Sequence, residues 1–441
     1  MNQEYMKERP IFKLLISMAA PMMLSMLINS LYNIVDSIFV AKISDNAMTA
    51  LSLVFPMQNL IISIAVGFGI AINAMVARFL GAKEKELADK TAMHGLVLSI
   101  VHGVILSIIS ILVVKNFLGI FTSDSGIIKY GYDYSIIVMS ASTIVMVSVF
   151  LEKLYQSVGK MKTTMIGMII GCIVNIILDP IMIFGLGPIP KMGIKGAAIA
   201  TVIGQVVTFV FYLYCYYSKP ISVKLNKKLW RLNKEICKEL YSIGIPATLN
   251  MALPSVLISA LNGILAAFSP IYIVVLGIYY KLQTFLYLPA NGIIQGMRPL
   301  ISYNYGANEH KRVKDIYKTS LMLIVGIMFI GMMVCMIFPR NLMMLFTSDE
   351  EIIKTGIKAL RIISLGFIVS SISVTSAGAL EALGKGIPSL VISLLRYVIV
   401  IIPLAMLFSK IVGAVGVWSS FFVTELITGI VSYIIYKKIT K

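Results

Sequence analysis

Long apolar runs separated by short polar breaks divide the whole chain, and they constrain its fold more than any other feature. A transmembrane helix needs about 20 mostly apolar residues. Stretches of that length lie at 14–41, 48–77, 93–117, 130–156, 163–185, 195–217, 240–267, 272–302, 317–338, 356–382, 387–409 and 413–436. Charged residues make up only 13% of the 441 residues, against about 25% in soluble proteins. An ordinary soluble globular protein is therefore excluded, and we predict an all-α polytopic membrane protein with twelve transmembrane helices.

The second half of the sequence repeats the first. The tetrapeptide FTSD occurs at 121–124 and again at 346–349, and the same offset of 225 residues aligns Pro21 with Pro246 and Gly81-Ala82 with Gly306-Ala307. Each copy contains six of the apolar stretches. Because six is an even number, the copies have the same orientation in the membrane, as parallel repeats do. We therefore expect two six-helix lobes related by pseudo-twofold symmetry along the membrane normal.

Basic residues set the expected domain boundaries and topology. The longest polar segment, 218–239, is rich in Lys and Arg, so it is interpreted as a cytoplasmic linker between an N-terminal lobe, 1–217, and a C-terminal lobe, 240–441. The chain has 38 Lys and Arg and a formal charge of +18, and most of these residues lie in alternate breaks, as the positive-inside rule requires. We expect both termini in the cytoplasm of a bacterial or archaeal cell, a location in the inner membrane, and no binding of nucleic acid.

Two acidic residues fall deep inside predicted spans. An ionised side chain at the centre of a bilayer costs at least about 2.5 kcal/mol, so each one indicates a partner or a function. Asp36 lies in the first span, with Asn33 on the same predicted helix face, and Asp179 lies in the fifth span one turn after Asn175. Such a pair is suited to binding a proton or a sodium ion, and the residues alone leave both ions open.

The acidic pair belongs to one lobe only. The repeat places Leu261 opposite Asp36 and Leu404 opposite Asp179. A purely structural role gives less reason for this asymmetry, so the N-terminal lobe is predicted to couple transport to a cation. The alternative for neighbouring amides and hydroxyls, including Thr201, is that they hydrogen-bond one helix to another.

Five other polar residues in the spans are candidates for substrate binding, and each has a structural alternative: Glu152, Gln205, Tyr280, Lys281 and Glu425. Glu152 is followed by Lys153, which indicates an interfacial ion pair, and Arg396 could neutralise Glu425. Gln205 belongs to a polar stripe that could join helices, and Tyr280 and Lys281 are typical of an interfacial aromatic belt.

Signals of enzymatic or metal chemistry are absent from the sequence. There is no GxxxxGK[ST], GxSxG or HExxH motif. The four Cys and three His are scattered without metal-ligand spacing. We therefore expect neither an enzyme nor a metal site, and no cofactor apart from the coupling ion, H⁺ or Na⁺.

Several motifs together resemble the MATE family, whose name stands for multidrug and toxic compound extrusion. They are AAPMML around Pro21, YNIVDSIFV in the first span, RFLGA and NYGA after the second and eighth spans, and NIILDP followed by GIKGAAIAT. The resemblance covers essentially the whole chain and is greatest to the DinF-type and MepA-like branches. It implies a secondary antiporter that exports organic cations or amphipathic drugs in exchange for H⁺ or Na⁺.

The resemblance also implies roles for individual residues. Asp36 and Asp179 would be the coupling carboxylates, Asn175 and Thr201 their hydrogen-bonding neighbours, and Tyr134 a companion of the site. The chain departs from NorM-type members in its seventh span, because 240–267 contains no acidic residue. A NorM-type sodium site is therefore not expected in the C-terminal lobe.

Two alternative functions compete with antiport. A flippase for lipid-linked oligosaccharides or peptidoglycan precursors shares the two-lobe architecture, but such proteins usually have basic cavities and often fourteen spans. A membrane receptor or scaffold would not need buried carboxylates. We accordingly expect small cationic or amphipathic substrates and membrane lipids as partners, and a monomeric protein.

Overall fold

A computed structural model describes residues 3–440, and their regular structure is helical throughout. The helices of the first half are α1 Tyr5–Glu8, α2 Ile11–Ala41, α3 Asp45–Gly81, α4 Lys85–Phe121, α5 Ser125–Ser140, α6 Ser142–Ser157, α7 Met161–Phe184 and α8 Ile194–Ser218. The helices of the second half are α9 Lys234–Ala266, α10 Pro270–Gly306, α11 His310–Ile337, α12 Pro339–Met344, α13 Glu350–Ser364, α14 Phe367–Ala382, α15 Gly386–Leu394, α16 Ile401–Val412 and α17 Ala414–Ile439.

Most of these helices are long and apolar enough to cross a membrane. Ten spans meet that criterion in the described residues, and two bent helix pairs raise the number to twelve if each pair is one span. The eleventh span, Gly386–Val412, runs through α15, a π-helical segment Leu395–Ile399, and α16. The predicted all-α polytopic fold with twelve spans is confirmed.

The fourth and tenth spans are bent rather than straight, which the hydropathy pattern did not predict. Helices α5 and α6 meet at an angle of 47°, and α13 and α14 at 55°. The first break is at Ala141 and the second at Leu365 and Gly366. Because 141 and 366 are separated by the repeat offset, the bend is a property of the repeated unit.

Packing divides the described chain into two compact units. Unit 1 comprises Leu24–Gly244 with residues 3–4, and unit 2 comprises Tyr5–Met23 with Ile245 onward. Helix α2 therefore contributes its first part to unit 2 and its second part to unit 1. The predicted linker 218–239 and the start of α9 belong to unit 1. The division into lobes 1–217 and 240–441 stays our functional prediction.

The linker is fastened to unit 1 by polar contacts. The backbone N–H of Lys224 donates to Asp89 Oδ1 at 2.7 Å, and the backbone N–H of Asn233 donates to His94 Nε2 at 2.6 Å. Val223 is almost fully buried. This longest polar segment is consequently an ordered part of the fold.

Helices α7 and α8 approach each other closely through glycines. A Cβ atom on Gly204 would lie 2.8 Å from the carbonyl oxygen of Gly171, and one on Gly171 would lie 2.1 Å from Thr208 Oγ1. Small residues allow this approach, as at many helix interfaces in membranes. The contact fixes the spacing of the two helices that carry Asn175 and Thr201.

Candidate functional site

The two predicted coupling carboxylates meet inside unit 1. Asp36 lies on α2 and Asp179 on α7, and their carboxyl groups lie next to each other. Asp179 is fully buried and Asp36 is 9% exposed. Residues 143 positions apart in the sequence are thus brought together, as the intramembrane position of both acids suggested.

Asn175 joins Asp179 to the neighbouring helix α8. With its amide oriented to satisfy both neighbours, Asn175 donates to Asp179 Oδ2 at 2.8 Å and accepts from the backbone N–H of Thr201 at 2.9 Å and its hydroxyl at 3.3 Å. Asn175 lies one turn before Asp179 on α7, so both side chains face α8. Asn175 and Thr201, the two predicted neighbours of the carboxylates, are therefore in direct contact, and Asn175 also contacts Asp179.

Tyr134 of α5 extends this network, and two further members were not predicted. The Tyr134 hydroxyl accepts from Gln58 Nε2 of α3 at 3.4 Å and lies beside Thr201. Tyr32 of α2 lies beside Thr201 as well. Tyr32 precedes Asp36 by one helical turn, and Gln58 recurs in the repeat as Gln283. The helical spacing could have identified Tyr32, and the recurrence in the repeat could have identified Gln58.

The acidic pair has no basic partner in the described part of the chain, residues 3–440. Neither carboxyl forms an ion pair with Lys, Arg or His there. The Oδ1 atoms of both Asp36 and Asp179 are buried without a hydrogen-bond partner. Two adjacent carboxylates repel each other unless a cation neutralises them, and a hydrogen bond between two carboxyl groups requires one proton. A proton or another cation between the two carboxyls would relieve this repulsion.

The remaining predicted residues of the N-terminal lobe lie apart from this contact. Asn33 is exposed on α2, where its amide donates to the backbone oxygen and to Oδ1 of Asn29, both at 2.9 Å. Gln205 lies one turn after Thr201 on α8, and its Oε1 is buried without a hydrogen-bond partner. The structure thus gathers Asp36, Asp179 and Asn175 and leaves Asn33 outside.

Glu152 belongs to a separate polar cluster on α6. Its Oε1 accepts from Lys153 Nζ at 2.8 Å and from Gln156 Nε2 at 2.7 Å. The stem of Lys153 packs against Gly69 of α3, where a Cβ atom would approach Lys153 Cγ to 2.6 Å. The Lys153 partner considered from the sequence is therefore present, with Lys153 buried and Glu152 partly buried.

Glu425 is neutralised within unit 2. Its Oε1 accepts from Arg396 Nε at 2.8 Å, and its Oε2 accepts from Ser373 Oγ at 3.4 Å. Arg396 lies in the π-helical segment, which distorts the span at this buried charge. Of the other candidates here, Lys281 is exposed with its ammonium 5.8 Å from the centre of the Phe346 ring, and Tyr280 has a buried hydroxyl without a partner.

Within residues 3–440, no three His, Cys, Asp or Glu side chains cluster closely enough to bind a metal ion. The acidic pair consists of two carboxyls surrounded by amides and hydroxyls. Those groups provide hydrogen-bond donors and acceptors around the two carboxyls.

Known proteins resemble the chain along its whole length. The chain is 28% identical to the multidrug export protein MepA of Staphylococcus aureus (strain MSSA476) over 436 residues, which are 98% of this chain and 94% of that protein. It is also 28% identical to MepA of Staphylococcus haemolyticus, over 98% of this chain and 95% of that protein.

Solved structures share the fold. A MOP superfamily transporter from Pyrococcus furiosus superposes with a TM-score of 0.93 at 23% identity, over 100% of this chain and 98% of that chain. A MATE transporter in a bent conformation gives the same values. The sequence profile of the MatE family matches residues 21–181 and 246–407. With both halves matched, the chain belongs to the MatE family.

Proposed function

We propose that this protein is a proton-coupled antiporter that exports organic cations and amphipathic drugs. The observation that carries the proposal is the buried contact between Asp36 and Asp179, which has no basic partner within residues 3–440. A proton between the two carboxyls removes their mutual repulsion. The names of the Staphylococcus relatives support drugs as the cargo.

A cationic drug and a proton would compete for the N-terminal lobe. When the pair is anionic, it favours binding of an organic cation; when a proton neutralises it, that attraction is lost. Alternating access of the N-terminal lobe, 1–217, and the C-terminal lobe, 240–441, would then couple proton entry to drug exit. Each ligand favours a different conformation through its differential affinity, which thermodynamic coupling requires.

The proposal includes the setting in which the protein works. It would act as a monomer in the cytoplasmic membrane with both termini in the cytoplasm, and it would need neither ATP hydrolysis nor a cofactor. Glu425 is the weakest of the substrate candidates, because Arg396 already occupies its carboxylate. Gln205 and Tyr280 have unused polar atoms and are better placed to bind cargo.

Ethidium efflux from membrane vesicles tests the proposal. A pH gradient and a sodium gradient are imposed separately, and the wild-type protein is compared with Asp36→Asn and Asp179→Asn. We expect efflux driven by the pH gradient in the wild type and its loss in both variants.

Asp133→Asn is the matched control, because Asp133 neighbours Tyr134 but pairs with Lys195 at 3.4 Å outside the acidic contact. It should retain efflux. Efflux driven only by sodium would contradict proton coupling, and efflux that persists in both site variants would contradict the assigned site. Absence of efflux under either gradient in a well-folded wild type would instead favour a lipid-linked cargo.

A further inference from the structure

Unit 2 contains a small cavity away from the candidate coupling site. Its volume is about 240 Å³, and its polar lining comes from Tyr305, His310, Lys314, Lys385 and Thr440. These residues lie at the end of α10, the start of α11, the turn before α15 and the segment after α17. Drug-sized pockets are about 300–1,000 Å³. The cavity is therefore better suited to a compact polar group than to a drug.

The charge of the cavity is positive. Lys314 and Lys385 contribute two ammonium groups, and His310 contributes a ring nitrogen that can donate. None of the lining residues is acidic. The neighbouring Glu309 is engaged outside the cavity with Lys7 at 2.7 Å, and this ammonium lowers the pKa of the Glu309 carboxyl. An anion is consequently the complementary ligand.

The repeat shows that this positive charge is not required by the fold. The residue of unit 1 equivalent to Lys314 is Asp89, which accepts the backbone N–H of Lys224 from the linker at 2.7 Å. Val223 beside it is 1% exposed. In unit 1 an acid at this position therefore binds the protein's own backbone, whereas in unit 2 a base at the same position borders an open cavity.

Exposed apolar side chains lie on two of the helices that border the cavity, α15 and α17. Ile387 follows Lys385 by two residues and is 64% exposed, and Ile434 on α17 is 57% exposed. The positive-inside rule assigns these helix ends to the cytoplasmic surface, where lipid headgroups lie. Basic pockets at that level are typical of anionic headgroup recognition.

We infer that this cavity binds a phosphate group, and specifically the headgroup of an anionic phospholipid of the cytoplasmic leaflet. Lys314 and Lys385 would pair with the phosphate oxygens, and the Tyr305 hydroxyl can donate to the same group. Ile387 and Ile434 would lie against the acyl chains. This inference concerns a separate site and does not depend on the proposed antiport.

Native mass spectrometry of the purified full-length protein tests the inference. Binding of phosphatidylglycerol is titrated against binding of zwitterionic phosphatidylcholine for the wild type and for Lys314→Gln/Lys385→Gln. Each basic residue near an anionic surface contributes about 1 kcal/mol, or roughly fivefold in affinity. We therefore expect phosphatidylglycerol to bind about 25-fold more weakly to the double variant and to lose its preference over phosphatidylcholine.

The control variant Lys160→Gln/Lys311→Gln removes the same charge elsewhere. Lys160 is the unit 1 equivalent of Lys385, and Lys311 is exposed on α11 outside the cavity lining. An equal loss in the control, or full binding in the cavity variant, would overturn the site. If inorganic phosphate displaces the lipid and phosphatidylglycerol shows no preference, the lipid assignment is overturned in favour of free phosphate. Thermal unfolding is measured for every variant, and unchanged unfolding temperatures exclude misfolding as the cause of weaker lipid binding. The single variant Lys314→Gln provides a second, milder change to the cavity.

Discussion

At the scale of single residues, chemical type decided which members of the site were predictable. Asp36 and Asp179 were identified because an ionisable group inside a span is costly. Tyr32 and Gln58 carry no such cost and were missed. Asn33 was predicted as a site residue because helical spacing places it near Asp36. Since a helix turns about 100° per residue, however, Asn33 and Tyr32 flank Asp36 on opposite sides. The buried side of α2 is the Tyr32 side, and only packing defines that choice.

Asn175 is expected to be essential for the organisation of the site. Asn175→Ala leaves the buried Asp179 carboxyl without its donor and Thr201 without its acceptor. A buried group left unsatisfied costs about 1–3 kcal/mol. We expect thermal unfolding at a lower temperature and weaker proton-driven efflux. Asn33→Ala, on the exposed face, should change stability by less than about 0.5 kcal/mol. Equal effects in the two variants would contradict the assigned role of Asn175.

The buried Arg396 and Glu425 pair should show strong coupling between its partners. Removing one partner of a buried ion pair costs about 3–5 kcal/mol because the other charge is left uncompensated. Arg396→Met and Glu425→Gln should therefore each lower the thermal unfolding temperature strongly, and the double variant should regain much of the loss. A double-mutant cycle measures this coupling. Additive losses would show that the two side chains do not stabilise each other.

At the scale of helices, apolar length predicted where the spans lie but not how they are shaped. The bends at Ala141 and Gly366 leave the hydropathy of both spans unchanged, so they could not be predicted from apolar length. A hydropathy pattern does not predict the π-helical turn at Arg396 either. Their positions become interpretable only through the repeat and through the buried charge.

The glycine contact between α7 and α8 predicts a steric defect. Gly204→Ala adds a Cβ atom 2.8 Å from the Gly171 carbonyl oxygen and 3.3 Å from Asn175 Cβ, so the helices must separate. Overpacking of this kind costs about 1–3 kcal/mol. We expect a lower unfolding temperature and impaired efflux. Gly263→Ala in α9 has no atom within 4 Å of the added group and should be neutral or stabilising. The same destabilisation at both sites would contradict the close approach.

At the scale of the whole molecule, the internal repeat was the most informative property of the sequence. It predicted two copies of six spans, and its departures from symmetry indicated the candidate site: Leu261 and Leu404 occupy the positions equivalent to Asp36 and Asp179. The exchange of Tyr5–Met23 into unit 2 was not predictable, because α2 is continuous in hydropathy across that point. Which surfaces pack together is determined by long-range contacts.

The central claim is that drug and proton exchange at the carboxyl pair. Drug binding to the purified protein in weakly buffered solution measures this directly, through the protons released on addition of ethidium. We expect proton release by the wild type and none by Asp36→Asn/Asp179→Asn. Undiminished release by that double variant would show that the carboxyl pair is not where drug and proton exchange.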